Sequence, residues 1–296
     1  MDNRIEIAVS SYSFSPMFRR GELTQLACIE KAKELGFSAI EFSEILPHEN
    51  STVEEYALKL REECSRCGMP VANFTFGADF LIGSGGDIRK EIDRVKRMVD
   101  LAQILGTKSV RHDVTKGYPS GEEKYRSFDS LLHILADACR EVTEYAQKKG
   151  IRTMSENHGT FCQESTCIEK LVTAVNHENF GLLVDIGNFL CVDEDPQTAV
   201  SRVAPYAFYV HAKDFFFKSA SESDPGEGFS FPTRAGNYLR GTIIGHGIVP
   251  VRACMKALLQ YGYKGYAAIE FEGMEDNLFA LKASLDNFKK YIASLM

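Results

Sequence analysis

QKKGIRTMSE, residues 147–156, holds the reading of the whole chain in miniature: the polar end of a helix, a glycine that stops it, a short strand, and a carboxylate at the strand's end. The same phrase recurs as KELGFSAIEF (33–42), SRCGMPVANF (65–74), QILGTKSVRH (103–112) and QYGYKGYAAIEF (260–271). Gly36, Gly68, Gly106, Gly150 and Gly262 fall where a helix closes on a left-handed residue, a backbone region that glycine reaches without a Cβ penalty. Adding IEIAVSSYSF (5–14), NFGLLVDIGN (179–188) and APYAFYVHAKD (204–214) predicts eight strands, near residues 5, 39, 70, 109, 151, 181, 207 and 266. Most are separated by about the 30 residues that a strand–helix–strand unit occupies.

Strands alternating with helices predict a parallel sheet, and eight such units in 296 residues predict a closed (β/α)8 TIM barrel forming a single domain over residues 1–296. The last helix supports this, because Leu278, Leu281, Leu285, Phe288, Ile292 and Leu295 repeat at three–four spacing and lay one apolar stripe against a sheet. An open doubly wound sheet is the competing architecture. It calls for a glycine-rich phosphate loop after its first strand, and SSYSFSPMF (10–18) has no glycine. The one long irregular stretch, about 215–250, lies between the seventh strand and its helix and is read as an active-site loop or lid.

Bulk properties narrow the partners. The net charge is −7 with a pI near 5.6, and lysine and arginine gather into no stripe that would neutralise a phosphate backbone, so nucleic acid is not an expected partner. No stretch approaches the roughly 18 apolar residues of a membrane span, and MDNRIEIAVSSYSF lacks the features of a secretory signal. A cytoplasmic protein is expected, and a homo-oligomer stays open. The eight cysteines are scattered, and Cys64 and Cys67 form a lone C-x-x-C at the end of a charged helix, which reads as structural thiols.

Barrel enzymes place their chemistry at the carboxyl ends of the strands. Four consecutive predicted strands end in SENHG (Glu156, His158), VDIGN (Asp185, Asn188), VHAKD (His211, Lys213, Asp214) and IEFEG (Glu270, Glu272). A charge at the end of a buried strand is costly unless it is paired or metal-bound. Glu156, Asp185, His211 and Glu270 supply three carboxylates and one imidazole, a set suited to one divalent ion, Mn²⁺, Co²⁺, Mg²⁺ or Zn²⁺. The alternative is a salt-bridge network joining Glu156 and Glu270 to Lys213 and Arg111.

This quartet, in this order on strands five to eight, resembles the xylose isomerase-like barrel superfamily, in particular the sugar phosphate isomerase/epimerase group that includes ketose 3-epimerases, hydroxypyruvate isomerases and inosose dehydratases. The resemblance covers nearly the whole chain and is carried by ENHG (156–159), Asp185, VHAKD (210–214), GHGIVP (245–250) and AIEFEG (268–273). It implies that the quartet ligates one divalent metal, often manganese, on which two oxygens of a sugar or keto-sugar chelate. In the epimerase branch the two glutamates also carry the proton, so Glu156 and Glu270 are the expected base and acid.

A small-molecule sugar is the expected substrate, and a metal-dependent isomerase or epimerase working by proton transfer beside a metal-bound carbonyl is the leading function. His158, two residues beyond Glu156 and on the same side of the strand, is a second candidate base or an orienting hydrogen-bond partner. Lys213, Asn188, Arg111, Glu41, His246 and Arg240 are candidates for substrate oxygens or phosphate, the alternatives being a salt bridge to Glu272 or Asp214 for Lys213, a salt bridge for Glu41 and a loop cap for His246; Tyr12 and Phe14 are candidates for stacking on a sugar face or for core packing. Asn188 stands where the epimerase branch commonly has histidine, which weakens a specific ketose 3-epimerase reading. The rival enzyme is a dehydratase or lyase acting on an inosose or a 3-keto-glycoside through the same enolate. A DNA-repair endonuclease needs three zinc ions and further histidines, and His48, His112, His133 and His177 mostly fall on helices or loops. A non-catalytic sugar-binding protein is expected to have lost one of the two glutamates, and both are present.

Overall fold

The computed structural model describes residues 5–47, 50–118, 122, 127–222, 224–229 and 231–295. Eight parallel strands close into a barrel: β1 (Ile5–Ser10), β2 (Ala39–Ser43), β3 (Val71–Phe76), β4 (Ser109–His112), β5 (Arg152–Glu156), β6 (Phe180–Asp185), β7 (Ala207–Ala212) and, after three strands outside the barrel, β11 (Gly265–Ile269). The ring closes where Ile5 to Val9 of β1 pair in register with Gly265 to Ile269 of β11. Beyond that seam Ser13 joins the two ends, its Oγ accepting from the Phe271 amide at 2.8 Å and its carbonyl accepting from Asn277 Nδ2 at 2.9 Å. The fold is the (β/α)8 TIM barrel that the recurring helix–glycine–strand phrase predicts.

Local chemistry accounts for the elements. Helix Val53–Cys67 starts on a reciprocal cap, Thr52 Oγ1 accepting from the Glu55 amide and Glu55 accepting from the Thr52 amide. Helices Ala27–Leu35 and Ile88–Leu105 end on Gly36 and Gly106 at φ 97° and 81°, where a Cβ would be strained. Helix Ser165–Val175 takes the same left-handed stop without glycine, on Asn176 at φ 47°. The predicted stripe of the last helix, Asn277–Ala293, packs inward through Leu281, Leu285, Phe288 and Ile292, with Leu278 and Leu295 partly buried at its margins. Cys64 and Cys67 are buried and free, and burial first of all pushes the Cys64 thiol up to about 12, which leaves it unreactive. Among the described residues no helix is long and apolar enough to cross a membrane.

Inside the barrel lies a small cluster distinct from the helix–sheet core: Ala8, Ala39, Ala72, Met154, Leu183, Tyr209 and Ala268. Met154, Leu183, Tyr209 and Ala268 stand two residues before Glu156, Asp185, His211 and Glu270 on their strands. With a side-chain period of two, the polar four are the next layer up from this apolar floor, at the carboxyl-terminal mouth.

The stretch that reads as irregular in sequence contains an antiparallel sheet of three strands, β8 (Asp214–Lys218), β9 (Phe231–Pro232) and β10 (Tyr238–Thr242), in the order β8–β10–β9. Its aromatic run Phe215–Phe216–Phe217 favours extended backbone, and strands this short leave little periodicity to read. Asp214 roots the segment: Oδ1 accepts from the Phe215 and Val249 amides, and Oδ2 from the Gly245 and Gly247 amides at 2.8 and 2.9 Å. Gly247 is required by this approach, since a Cβ there would collide with the Asp214 carboxylate and the Phe215 carbonyl. At the other end Asp193 accepts from Thr233 Oγ1 (2.7 Å), the Ala235 amide (2.7 Å) and Asn237 Nδ2 (2.8 Å), tying the hairpin to the turn after β6.

Candidate metal centre and active site

At the barrel mouth a cavity of about 400 Å³ is walled by side chains from the strand ends together with Phe231 and Pro232 of β9. Glu156 ends β5, Asp185 ends β6, and His211 is the penultimate residue of β7; all three are buried, and each offers a ligand atom within 4.8 Å of the other two. Asp185 is aimed by its own backbone, Oδ1 accepting from the Gly187 and Asn188 amides at 2.8 and 2.9 Å. Its Oδ2 makes no hydrogen bond and meets the Lys213 ammonium as an ion pair at 3.1 Å. His211 Nδ1 is also buried without a hydrogen-bond partner. It stands 3.7 Å from Glu156 Oε1, 3.8 Å from Asp185 Oδ2 and 3.7 Å from Glu270 Oε2.

Those separations are too long for hydrogen bonds, and they approach the spacing of about 3–3.5 Å between donors that share one first-row ion at ~2.1 Å. A buried imidazole nitrogen without a hydrogen-bond partner, facing three carboxylate oxygens, fits a divalent cation. Glu270 follows β11 and lies outside the tight three-residue group, because its Oε2 is drawn to Lys213 Nζ at 2.6 Å. On the opposite flank Arg111 Nε lies 2.6 Å from Glu156 Oε2, while Asn188 Nδ2 donates to Glu156 Oε1 at 3.0 Å. The salt-bridge pairs weighed from sequence, Glu156 with Arg111 and Glu270 with Lys213, are thus present around the cation-sized gap.

Charges follow from these contacts. Burial works to raise the Glu156 pKa, but Arg111 and His211 outweigh it and hold the carboxyl well below its usual range. Burial likewise opposes ionisation of Glu270, and Lys213 with His211 keeps it low. Asp185 is the exception, pushed up to about 6 by burial against the pull of Lys213. His158 resists the lowering effect of burial through its Nδ1 contact with Asp113 Oδ1 at 3.0 Å, which raises its pKa, and Asp113 is in turn held by Arg111 Nη2 at 2.7 Å.

Comparison with known proteins agrees with this architecture. Residues 29–291 match the family described as xylose isomerase-like TIM barrel. The chain belongs to that family. It is 24% identical over 262 residues to an inosose dehydratase of Serratia proteamaculans, covering 85% of this chain and 83% of that one. It is 28% identical over 180 residues to an inosose dehydratase of Lacticaseibacillus casei, a match over 59% of this chain that spans only 58% of the relative's length. A solved structure described as the IOLI protein with a bound zinc atom superimposes with a TM-score of 0.74 at 16% identity, over 99% of both chains.

Within this family member the residues singled out from sequence divide into two groups. Arg111, His158, Asn188, Lys213 and Tyr12 line the cavity with Glu156, His211 and Glu270. Three substrate candidates do not. Glu41 is fully buried behind His211, its Oε1 2.8 Å from His211 Nε2. Arg240 lies on β10 with its guanidinium over the rings of Phe216 and Phe229, at 4.8 and 5.4 Å. His246 is exposed on the Gly-His-Gly turn, whose backbone rather than side chain is held by Asp214. Phe14 is core. Of the remaining histidines, His112 sits among Phe76, Phe80 and Phe180, His133 is on helix Phe128–Gln147, His177 Nδ1 accepts from the Asn179 amide, and His48 lies outside the described residues.

Sequence reasoning passes over Asp113 and weighs Glu272 only as a salt-bridge partner. Asp113 stands two residues beyond Arg111, so period-two counting along β4 places it on the same side. Glu272 lines the cavity, its pKa is raised chiefly by burial, and it receives Lys213 Nζ at 3.2 Å. Thr160, Gln163 and Cys191 also line the cavity, and they come from loops that carry no periodic signal.

Proposed function

We propose that this protein is a divalent-metal-dependent enzyme that takes a proton from the carbon beside the ketone of a small polyhydroxylated substrate, an inosose or related keto-sugar, and expels a β-hydroxyl as water. The observation that carries the reading is His211 Nδ1, buried without a hydrogen-bond partner and facing oxygens of Glu156, Asp185 and Glu270 across one gap. Glu156, Asp185, His211 and Glu270 would hold the ion, for which manganese is our first choice and zinc, cobalt or magnesium suit the same donors. When bound, it supplies Lewis acidity that offsets negative charge developing on the substrate's carbonyl oxygen.

The chain's own groups divide the proton work. Glu156 has both oxygens engaged, by Asn188 and Arg111, whereas Glu270 is ionised and held through one oxygen by Lys213. Glu270 is therefore our candidate to accept the proton from carbon. His158, whose affinity for a proton the Asp113 contact raises against burial, is placed to return a proton to the departing hydroxyl, so that one proton leaves the carbon and one completes the water. Lys213 and Arg111 offer donors to substrate oxygens in a cavity where burial strengthens each charge. The segment from β8 to β10, placing Phe231 and Pro232 against the cavity, acts as a lid that excludes water. The inosose dehydratase relatives, one of them aligned over most of this chain, support elimination as the second half of the reaction.

Epimerisation is the second reading. It shares the first step, and it is favoured by the placing of Glu156 Oε1 and Glu270 Oε2, each 3.7 Å from His211 Nδ1, as two carboxylates that could serve opposite faces of one carbon. One experiment separates the readings: protein, MnCl₂ and a panel of inososes and keto-sugars in D₂O, followed by NMR and mass spectrometry. Dehydration yields labelled product that has lost water. Epimerisation yields label at conserved skeleton mass, and no label with any substrate of the panel removes both.

A further inference from the structure

We infer that Glu41 is a positioning residue for metal binding, fixing which imidazole nitrogen of His211 faces the cation. This deepens the metal reading above and rests on it. Glu41, on β2, is wholly buried, and its two oxygens are both committed: Oε1 lies 2.8 Å from His211 Nε2, and Oε2 accepts from Asn73 Nδ2 at 3.1 Å. Asn73 is itself oriented, because Ser109 Oγ donates to its Oδ1 at 2.8 Å, which turns the amide's NH₂ end toward Glu41. The line Ser109–Asn73–Glu41–His211 runs from β4 through β3 and β2 to β7 and meets the metal gap at His211.

An ionised carboxylate only accepts hydrogen bonds, so the nitrogen facing Glu41 must carry a hydrogen. In the neutral imidazole that a metal requires, Nε2–H donates to Glu41 and the lone pair falls on Nδ1, the buried nitrogen that lacks a hydrogen-bond partner and faces three carboxylate oxygens. Left to itself, an imidazole surrounded by those carboxylates would point its N–H at them and its lone pair away. Glu41 enforces the opposite arrangement, and its negative charge makes Nδ1 a stronger donor. The buried carboxylate is otherwise unexplained: it does not line the cavity, and its burial is costly unless it acts on something.

The oriented Asn73 makes the test sharp. In Glu41→Gln, the Asn73 NH₂ selects the glutamine carbonyl, which leaves the glutamine NH₂ against His211 Nε2 and drives the imidazole hydrogen to Nδ1. In the double variant Glu41→Gln with Asn73→Asp, the carboxylate introduced on β3 accepts from the glutamine NH₂, the glutamine carbonyl faces His211, and the original arrangement returns. Titration calorimetry with ZnCl₂ and MnCl₂ is expected to show binding weakened by about 10–100-fold in Glu41→Gln, most of it regained in the double variant. Thermal unfolding without metal serves as the control for folding. Single-variant affinity within twofold of wild type, or a double variant no better than the single, overturns the inference while leaving the metal site standing. Wild-type protein that binds neither ion overturns the metal reading and this inference with it. Should the variants fail to fold, ¹⁵N-histidine NMR of zinc-loaded wild type decides: zinc on Nδ1 of His211 with a proton retained on Nε2 is expected, and zinc on Nε2 overturns it.

Discussion

Lys213 Nζ lies 2.6 Å from Glu270 Oε2 and 3.1 Å from Asp185 Oδ2, so the chain presents a cation of its own to the carboxylates proposed to hold a metal ion. Lys213 is buried, and burial opposes its charge, but the surrounding carboxylates keep its pKa well above the ordinary lysine value. In Lys213→Met the metal-free protein should lose about 3–5 kcal/mol, the cost of stripping one partner from a buried ion pair. The same variant should bind Mn²⁺ about tenfold more tightly, because a like charge beside the ion has gone. Thermal scans with and without MnCl₂ report both effects, and no change in either would show that the ammonium is not the counter-ion.

Glu270→Gln and Glu156→Gln keep shape while removing the capacity to accept a proton. Deuterium exchange into the substrate should fall by about 10²–10⁴-fold in Glu270→Gln. Glu156→Gln should also fall, through its contacts with Arg111 and Asn188 as well as through the metal. Near-normal exchange in both variants would take these residues out of the chemistry.

Asp214 gathers four backbone amides around one carboxylate. Asp214→Ala strands those donors, several of them buried, and should destabilise the protein by about 3 kcal/mol or more in urea titrations. Amide hydrogen exchange should speed up first at Gly245, Gly247 and Val249. A variant with wild-type protection there would mean the segment is rooted elsewhere.

His112 is the acid-sensitive point of the outer shell. Burial among phenylalanine rings lowers its pKa from 6.5 to about 4, so the fold holds it neutral. Above pH 6.5 folded and unfolded chains are both neutral at this site and its contribution is intact. As pH falls from 6.5 toward 4 the unfolded chain takes up the proton first, and about 3 kcal/mol of stability is lost. His112→Leu should flatten that part of the stability–pH curve, and equal slopes for the two proteins would contradict the assignment.

The barrel is legible because its punctuation is local. A glycine at a helix end and an apolar run behind it are read within about ten residues, and the four polar strand ends follow once the strands are counted. Helix Ser165–Val175 hides its stop, since Asn176 does the work of glycine. Strands β8, β9 and β10 hide as well, because two to five residues of hairpin have no periodic register to detect. Depth is harder than position. Glu41 reads equally as a substrate contact or a salt-bridge partner, because a strand carboxylate looks the same in sequence whether it reaches the cavity or stops one layer beneath it, where it meets His211. Arg240 and His246 stay open in sequence for a related reason, since side-chain direction in a folded-back segment depends on contacts, with Phe216 and Phe229 for Arg240 and with the Asp214 carboxylate for the turn that carries His246.

The turn Asn188–Val192 joins two parts of the mouth that are remote in sequence. Asn188, at its start, steadies Glu156, and Asp193, immediately after it, clamps the hairpin that carries Phe231 and Pro232. Ceiling and chemistry therefore share one hinge post. A lineage drifting toward bulkier ligands by raising the ceiling would disturb the Glu156 carboxylate at the same stroke, whereas enlargement on the Tyr12 side leaves that carboxylate alone and is the freer direction for divergence.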